Sequence, residues 1–202
     1  MLSWVLFDLN GTLVDPGVMA QPLGDSSGDE ELAEDALALL GSMPAYLDAP
    51  AALEQLRGVG LRLGVLTQSA PEAADAVLRF AGLRDRIEMV LSAPESGAFK
   101  PDPRPYRMAV ERTGAAADEV GFVAAHWWDV AGAKHAGLRT GWVARRDIVL
   151  PGSVPEPDVS GRDLTEVCDG LARGAPGRSR SSGPSRAGRR HRTSGSRPAR
   201  RS

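Results

Sequence analysis

The chain has 202 residues, 42% of them hydrophobic, which is enough for one sizeable core. Its formal charge of −2 hides a split: residues 173–202 hold ten Arg and no acid, while residues 1–172 hold 14 basic and 26 acidic side chains. A single cysteine, Cys168, excludes an internal disulfide, and the lack of a basic apolar leader or an apolar span of about 18 residues argues against export or membrane spanning, so the expected location is the cytoplasm.

In chain order, residues 3–9 read as a first strand. Its apolar run Trp4-Val-Leu-Phe7 ends at a carboxylate, Asp8, and Asn10-Gly11 breaks it. Residues 16–30, rich in Gly, Pro, Ser and Asp, read as a loop. Leu32, Ala36, Leu37, Leu39 and Leu40 fall at helical spacing over residues 30–40, with Gly41 as the stop. Asp48 is placed as the N-cap of a helix ending near Gly58. Strands over 61–67, 88–92, 120–125 and 140–144 then alternate with helices over 71–80, 103–112 and 129–136. Asp102 caps the second of these helices, Gly137 ends the third, and Pro71 lies in the first turn of the first. Residues 157–160 read as an edge strand and 163–172 as a last helix. Gly58-Val-Gly60 and Gly64 precede and interrupt a strand, so they read as a helix-to-strand turn and not as a nucleotide loop.

Alternating strands and helices predict an α/β fold with a Rossmann-like, doubly wound parallel sheet. Residues 173–202 have no apolar content to bury and read as a disordered Arg-rich tail. Arginines favour nucleic acid, but without interleaved aromatics the signal is nonspecific, and a solvated tail with no dedicated partner is the preferred reading. Cys168 reads as a small apolar residue rather than a nucleophile.

In such sheets ligands bind at the carboxyl ends of the strands. Those ends carry Asp8, then Thr67-Gln68-Ser69, then the loop Ala98-Phe-Lys100-Pro-Asp-Pro103, then His126-Trp-Trp-Asp129. An Asp there can be a nucleophile, although Asp-x-Asn-Gly-Thr is equally good turn chemistry, and the first window leaves both readings open. A nucleophile, a hydroxyl, a lysine and an acid on four successive units favour the first. Lys100, one of only two lysines in the chain, can hold Asp8 ionised and neutralise charge in the transition state. Thr67 can donate a hydrogen bond to a substrate, and Asp129 can orient Lys100 or water. Trp127, Trp128, Tyr106 and Trp142 are candidates to line a pocket, Trp142 being placed rather in the core.

Together these segments resemble the four motifs of the haloacid dehalogenase-like (HAD) hydrolases over roughly residues 3–145. Lys100-Pro-Asp-Pro-Arg-Pro-Tyr106 and the segment from Val123 through Asp129 to Leu138 resemble the 2-haloacid dehalogenase branch. The resemblance implies Asp8 as nucleophile, Lys100 and Asp129 as its catalytic partners, and Asn10, Thr12, Thr67, Gln68, Tyr106 and His126 on the substrate side. It implies a core over 1–172, with residues 16–47 as a reduced cap insertion.

Two departures separate phosphate from halide chemistry. Phosphatases of the family carry a general acid two residues after the nucleophile, which is Asn10 here; such catalysis is typically worth about 10²–10⁴-fold, roughly 3–5 kcal/mol. They also bind Mg²⁺ through an Asp at the position of Ala125, and Mg²⁺ wants oxygen ligands. A halide leaves as a stable anion and needs neither. The expectation is therefore a metal-independent dehalogenase acting on a small 2-haloalkanoate through an aspartyl ester, with no cofactor. The alternatives are a Mg²⁺-dependent phosphatase, its metal on Asp8 and Asp129, or a non-catalytic HAD-fold binding protein. The substrate pocket departs from the branch: Asn10 replaces a Tyr, Gln68 and His126 each replace an Asn, and no Arg lies between Asp8 and Arg57 to bind the halide. A homodimer partner or a larger substrate would close a site with so short a cap.

Overall fold

The computed structural model describes residues 1–17, 42–145 and 149–173. The expected helix over 30–40, most of the cap insertion and all but the first residue of the Arg-rich tail lie outside the described residues. Six strands form one sheet: β1 (Trp4–Phe7), β2 (Arg62–Thr67), β3 (Met89–Ser92), β4 (Val120–Ala124), β5 (Arg139–Val143) and β6 (Val159–Gly161). Their order is β3-β2-β1-β4-β5-β6 and every neighbouring pair is parallel. The chain winds outward from β1 to β3, then restarts beside β1 at β4 and winds the other way. The switch point therefore lies between β1 and β4, where such sheets open a crevice at their carboxyl ends.

Strand alternation divides the core. Val5 and Phe7 face one side with Leu63, Val65 and Val123; they pack against α1 (Ala49–Gly58), α2 (Pro71–Phe80) and α5 (Leu164–Ala172) through Leu53, Leu56, Val77, Leu78, Val167 and Leu171. Trp4 and Leu6 face the other side with Leu66, Leu91, Phe122 and Trp142, under α3 (Pro103–Thr113) and α4 (Trp127–His135). With both faces covered, the strands can be apolar throughout, as β1 and β4 are. Cys168 is buried in the first of these layers, where burial pushes its thiol up, out of the reactive range. Trp142 lies in β5 within the second layer, as expected. Among the described residues no helix is long and apolar enough to cross a membrane.

Two local expectations need correction. Asp48 stands at the N-cap of α1 but makes no side-chain bond to it. Its backbone is already helical, at φ −84° and ψ −17°, and Pro50 removes one N–H that a cap would accept. Its carboxylate instead accepts from Arg145 Nη2 at 2.8 Å and from the N–H of Leu164, at the start of α5, at 2.8 Å. Helix α4 starts at Trp127 rather than at 129, because His126, extended at φ −84° and ψ 123°, is the N-cap and its carbonyl accepts the Asp129 N–H. Asp129 thus sits in the first helical turn. Asp102 caps α3 as expected, accepting from Arg104 N at 2.9 Å.

After β1 the chain turns at Gly11 and runs back beside residues 44–46: Asp15 N bonds Pro44 O and Tyr46 N bonds Leu13 O, each at 2.9 Å. These bonds join residues 13–15 to residues 44–46 beside the switch point.

Candidate active site

Asp8 ends β1, and its N–H bonds Val123 O of β4 at 2.9 Å, so the switch point itself holds the carboxylate. Lys100 reaches it from the loop before α3. Its ammonium donates to Asp8 Oδ1 at 2.8 Å, Asp129 Oδ2 at 2.6 Å and the carbonyl of Leu66, at the end of β2, at 2.9 Å. All three ammonium protons are thereby used. Lys100 and Asp129 have no exposed side-chain surface and Asp8 has 7%, so the lysine welds two carboxylates from opposite sides of the switch point.

Burial opposes charge on each group, and the neighbours decide the outcome. For Asp8 the desolvation that would raise its pKa is outweighed by Lys100 and by the His126 hydrogen bond, and it is held at about 2. For Asp129 burial wins, helped by the Asp8 anion against Lys100 and the Tyr106 hydroxyl, and it is pushed up to about 6. Burial would lower Lys100, but the two carboxylates hold it above the usual range. The hydrogen bond to Asp8 raises His126, with burial working against it.

The other expected site residues divide. Thr12 is fully buried; its hydroxyl donates to Asp8 Oδ2 at 2.9 Å and accepts from Ala125 N at 3.0 Å. It therefore orients the carboxylate instead of facing substrate. Gln68 clamps the Lys100 backbone, donating to its carbonyl at 3.0 Å and accepting from its N–H at 3.1 Å, so it positions the lysine loop. Tyr106 is fully buried and donates to Asp129 Oδ1, lying beneath the site and not along a pocket. Burial and the Asp129 charge push its phenol far up, so it stays a donor. Thr67 is buried, and its oxygen accepts from Ser69 N at 3.2 Å, leaving the hydroxyl proton for a ligand. The Asn10 Oδ1 atom is buried without a partner. His126 Nδ1 lies 3.3 Å from Asp8 Oδ2 and its ring stacks on Trp128, centroids 5.1 Å apart. Of the four aromatics considered for a pocket, Trp142 and Tyr106 are core, and Trp142 Nε1 donates to Ala125 O at 3.0 Å. Arg57 pairs with Glu54 on α1.

Gly132 was not foreseen. The signal was there: a glycine inside a helix costs about 1 kcal/mol against alanine and asks for a reason. A Cβ at Gly132 would meet Tyr106 Oη at 2.6 Å and Pro101 O at 2.8 Å. Gly132→Ala should therefore push Tyr106 off Asp129 and cost about 1–3 kcal/mol through overpacking, read as a lowered thermal midpoint; an unchanged midpoint would show that α4 shifts freely.

A divalent cation on Asp8 and Asp129 does not fit this donor set. Both Asp129 oxygens are engaged and shielded, Asp8 Oδ2 already accepts two donors, and Ala125 presents a methyl. Asn10 Oδ1 is a single oxygen, one of the six or more that a hard cation takes. Among the described residues no group of three His, Cys, Asp or Glu is placed to hold a metal ion.

A sequence model of the haloacid dehalogenase-like hydrolases matches residues 18–137. A phosphatase of Mycobacterium tuberculosis is 39% identical over 173 residues, covering 79% of this chain and 76% of that protein. An (S)-2-haloacid dehalogenase of Pseudomonas sp. (strain YL) is 34% identical over 124 residues, covering 61% of this chain and 53% of that protein. The chain thus spans about half the length of that dehalogenase. The structure of an L-2-haloacid dehalogenase of Xanthobacter autotrophicus with chloropropionic acid covalently bound superposes with a TM-score of 0.75 at 22% identity, over 86% of this chain and 99% of that one, a likeness of fold.

Proposed function

The chain belongs to the haloacid dehalogenase-like hydrolases, and from that membership we propose a metal-independent hydrolase that displaces halide from a small 2-haloalkanoate through an ester on Asp8. The observation that carries the reading is the pairing of an ionised, Lys100-bound Asp8 with Asn10 where a general acid would stand. An amide donates no proton to an alkoxide, so the leaving group must be stable as an anion.

Asp8 attacks the halogen-bearing carbon; a C–O bond forms as the C–halogen bond breaks, and the halide leaves with the electron pair. Water then adds to the ester carbon. Oδ1, which accepts from Lys100 alone, has the lone pair free to attack, and negative charge developing on Oδ2 falls against the Thr12 hydroxyl and His126 Nδ1, already 2.9 and 3.3 Å away and needing no reorganisation. Collapse releases the 2-hydroxyalkanoate, restores the carboxylate and leaves one proton to solvent. Thr67 and Asn10 have hydrogen-bonding capacity left for the substrate. The reading includes residues 16–47 as a reduced cap and 173–202 as a tail without a dedicated partner.

The test is chloride release from L-2-chloropropionate with EDTA present. Release unaffected by the chelator is expected; release of phosphate from phosphate esters that EDTA abolishes would instead favour the Mg²⁺ phosphatase reading, to which the mycobacterial relative lends support. The pH profile discriminates further. Asp129, at about 6, is protonated as pH falls through that value, while Asp8, at about 2, stays ionised. Protonating Asp129 leaves the charge of Lys100 to Asp8 alone and makes the nucleophile weaker. Halide release should therefore decline below about pH 6, and Asp129→Asn should remove that limb; a profile flat down to the ordinary carboxylate range would contradict the assignment.

A further inference from the structure

We propose that His126 occupies the place against Asp8 that a divalent cation would need, so that an imidazole and not a metal ion completes the site. The inference rests on the metal-independent reading and names what enforces it.

The ring is seated, not merely nearby. Its Nδ1 is 3.3 Å from Asp8 Oδ2, one face stacks on Trp128 with the planes 26° apart, and its edge lies over Gly11. A Cβ at Gly11 would come within 3.0 Å of His126 Cε1, and Gly11 has φ +81°, so only glycine suits both the turn and the overlying ring. Because Asp8 is a carboxylate and only accepts, Nδ1 carries the proton in that contact. With the Thr12 hydroxyl on the same oxygen at 2.9 Å, the two lone-pair directions of Oδ2 are filled.

Access and charge agree. Side-chain exposure is 0% for Lys100 and Asp129, 7% for Asp8 and 36% for His126, so of these four groups His126 is the one solvent meets. The two carboxylates and the single ammonium leave one uncompensated negative charge. The ring sets its Nδ1 proton against that charge at Oδ2, on the side where a cation would have to approach. Taking the ring away would leave that charge, a free lone pair on Asp8 Oδ2, and the unpartnered Asn10 Oδ1.

The experiment titrates the full chain with Mn²⁺ and counts free ion by its paramagnetic resonance. His126→Ser keeps a favoured N-cap residue for α4, and His126→Ala serves as the second variant, each checked for folding by its melt. The wild type should show no Asp8-dependent binding. The variants should bind at least about ten-fold more tightly, and adding Asp8→Asn should abolish the gain. Folded variants that bind no better than wild type would overturn the role of His126 while leaving the metal-independent reading intact. Mn²⁺ binding by the wild type that disappears in Asp8→Asn would overturn both, and that arm needs no change at His126.

Discussion

Lys100→Met should be the most destabilising single substitution in the chain. The ammonium lies between two buried carboxylates, 2.8 Å from one and 2.6 Å from the other, with no exposed surface of its own. A methionine of similar length fills the space and leaves both anions facing each other. Breaking a buried ion pair by removing one partner costs about 3–5 kcal/mol, which for a chain of this size lowers the melting midpoint by about 10 °C or more. The cost should depend on pH. Lys100 is what lowers Asp129, so without it Asp129 takes up its proton above the wild-type value of about 6, and once it is protonated the repulsion left by the missing lysine disappears. Melts at pH 5 and pH 8 should therefore differ more for Lys100→Met than for wild type, with the larger loss at pH 8. Adding Asp129→Asn should recover part of the loss at pH 8, because it removes one of the two unpaired charges. A variant that melts like wild type at pH 8 would mean that the carboxylates find compensation elsewhere.

The strands, their parallel alternation with helices and the four strand-end positions could be read from the sequence because each rests on local pattern. β1 is an apolar run stopped by Asn10-Gly11, and Lys100 stands out by the scarcity of lysine and by Pro101 and Pro103 just after it. What escaped is which way a side chain faces once distant segments meet. Gln68 and Lys100 are 32 residues apart, and nothing local says that the amide grips the lysine backbone rather than a substrate. Tyr106 lies six residues past Lys100, a spacing that promises proximity but not a side; the Phe122 ring, edge-on at 5.4 Å, and Asp129 draw it under the site. Asp48 had every local mark of a cap, yet Arg145 and the N–H of Leu164, 97 and 116 residues further along the chain, take its carboxylate. In each case a long-range hydrogen bond in a buried setting outweighed the local preference, since a buried polar group left unmatched costs more than a weaker cap.

Asp8→Asn should abolish turnover while sparing the fold, and the contrast with Lys100→Met is what makes it informative. The amide is nearly isosteric with the carboxylate: its oxygen, in the place of Oδ1, can still accept from Lys100, and its NH2 group, in the place of Oδ2, can donate to the Thr12 oxygen once that hydroxyl turns. Lys100 keeps Asp129 as its ion-pair partner, so no buried charge is orphaned. Chemistry should fall by on the order of 10³-fold or more, as when a nucleophile is removed from other covalent enzymes, with a melt within a few degrees of wild type. Loss of the Asp8 charge also removes the main cause that raises His126 and one that raises Asp129, so both should titrate at lower pH in the variant, visible in the histidine ring resonances. The covalent route has a second signature in the wild type. During a single turnover in ¹⁸O-water, attack on the ester carbon places the heavy oxygen on Asp8, and the peptide containing Asp8 gains the mass of one exchanged oxygen. The alcohol oxygen of the first product comes from the enzyme. Label appearing directly in that first product, with Asp8 unlabelled, would mean that water and not Asp8 attacks carbon, and Asp8 would then be a base that Lys100 holds ionised.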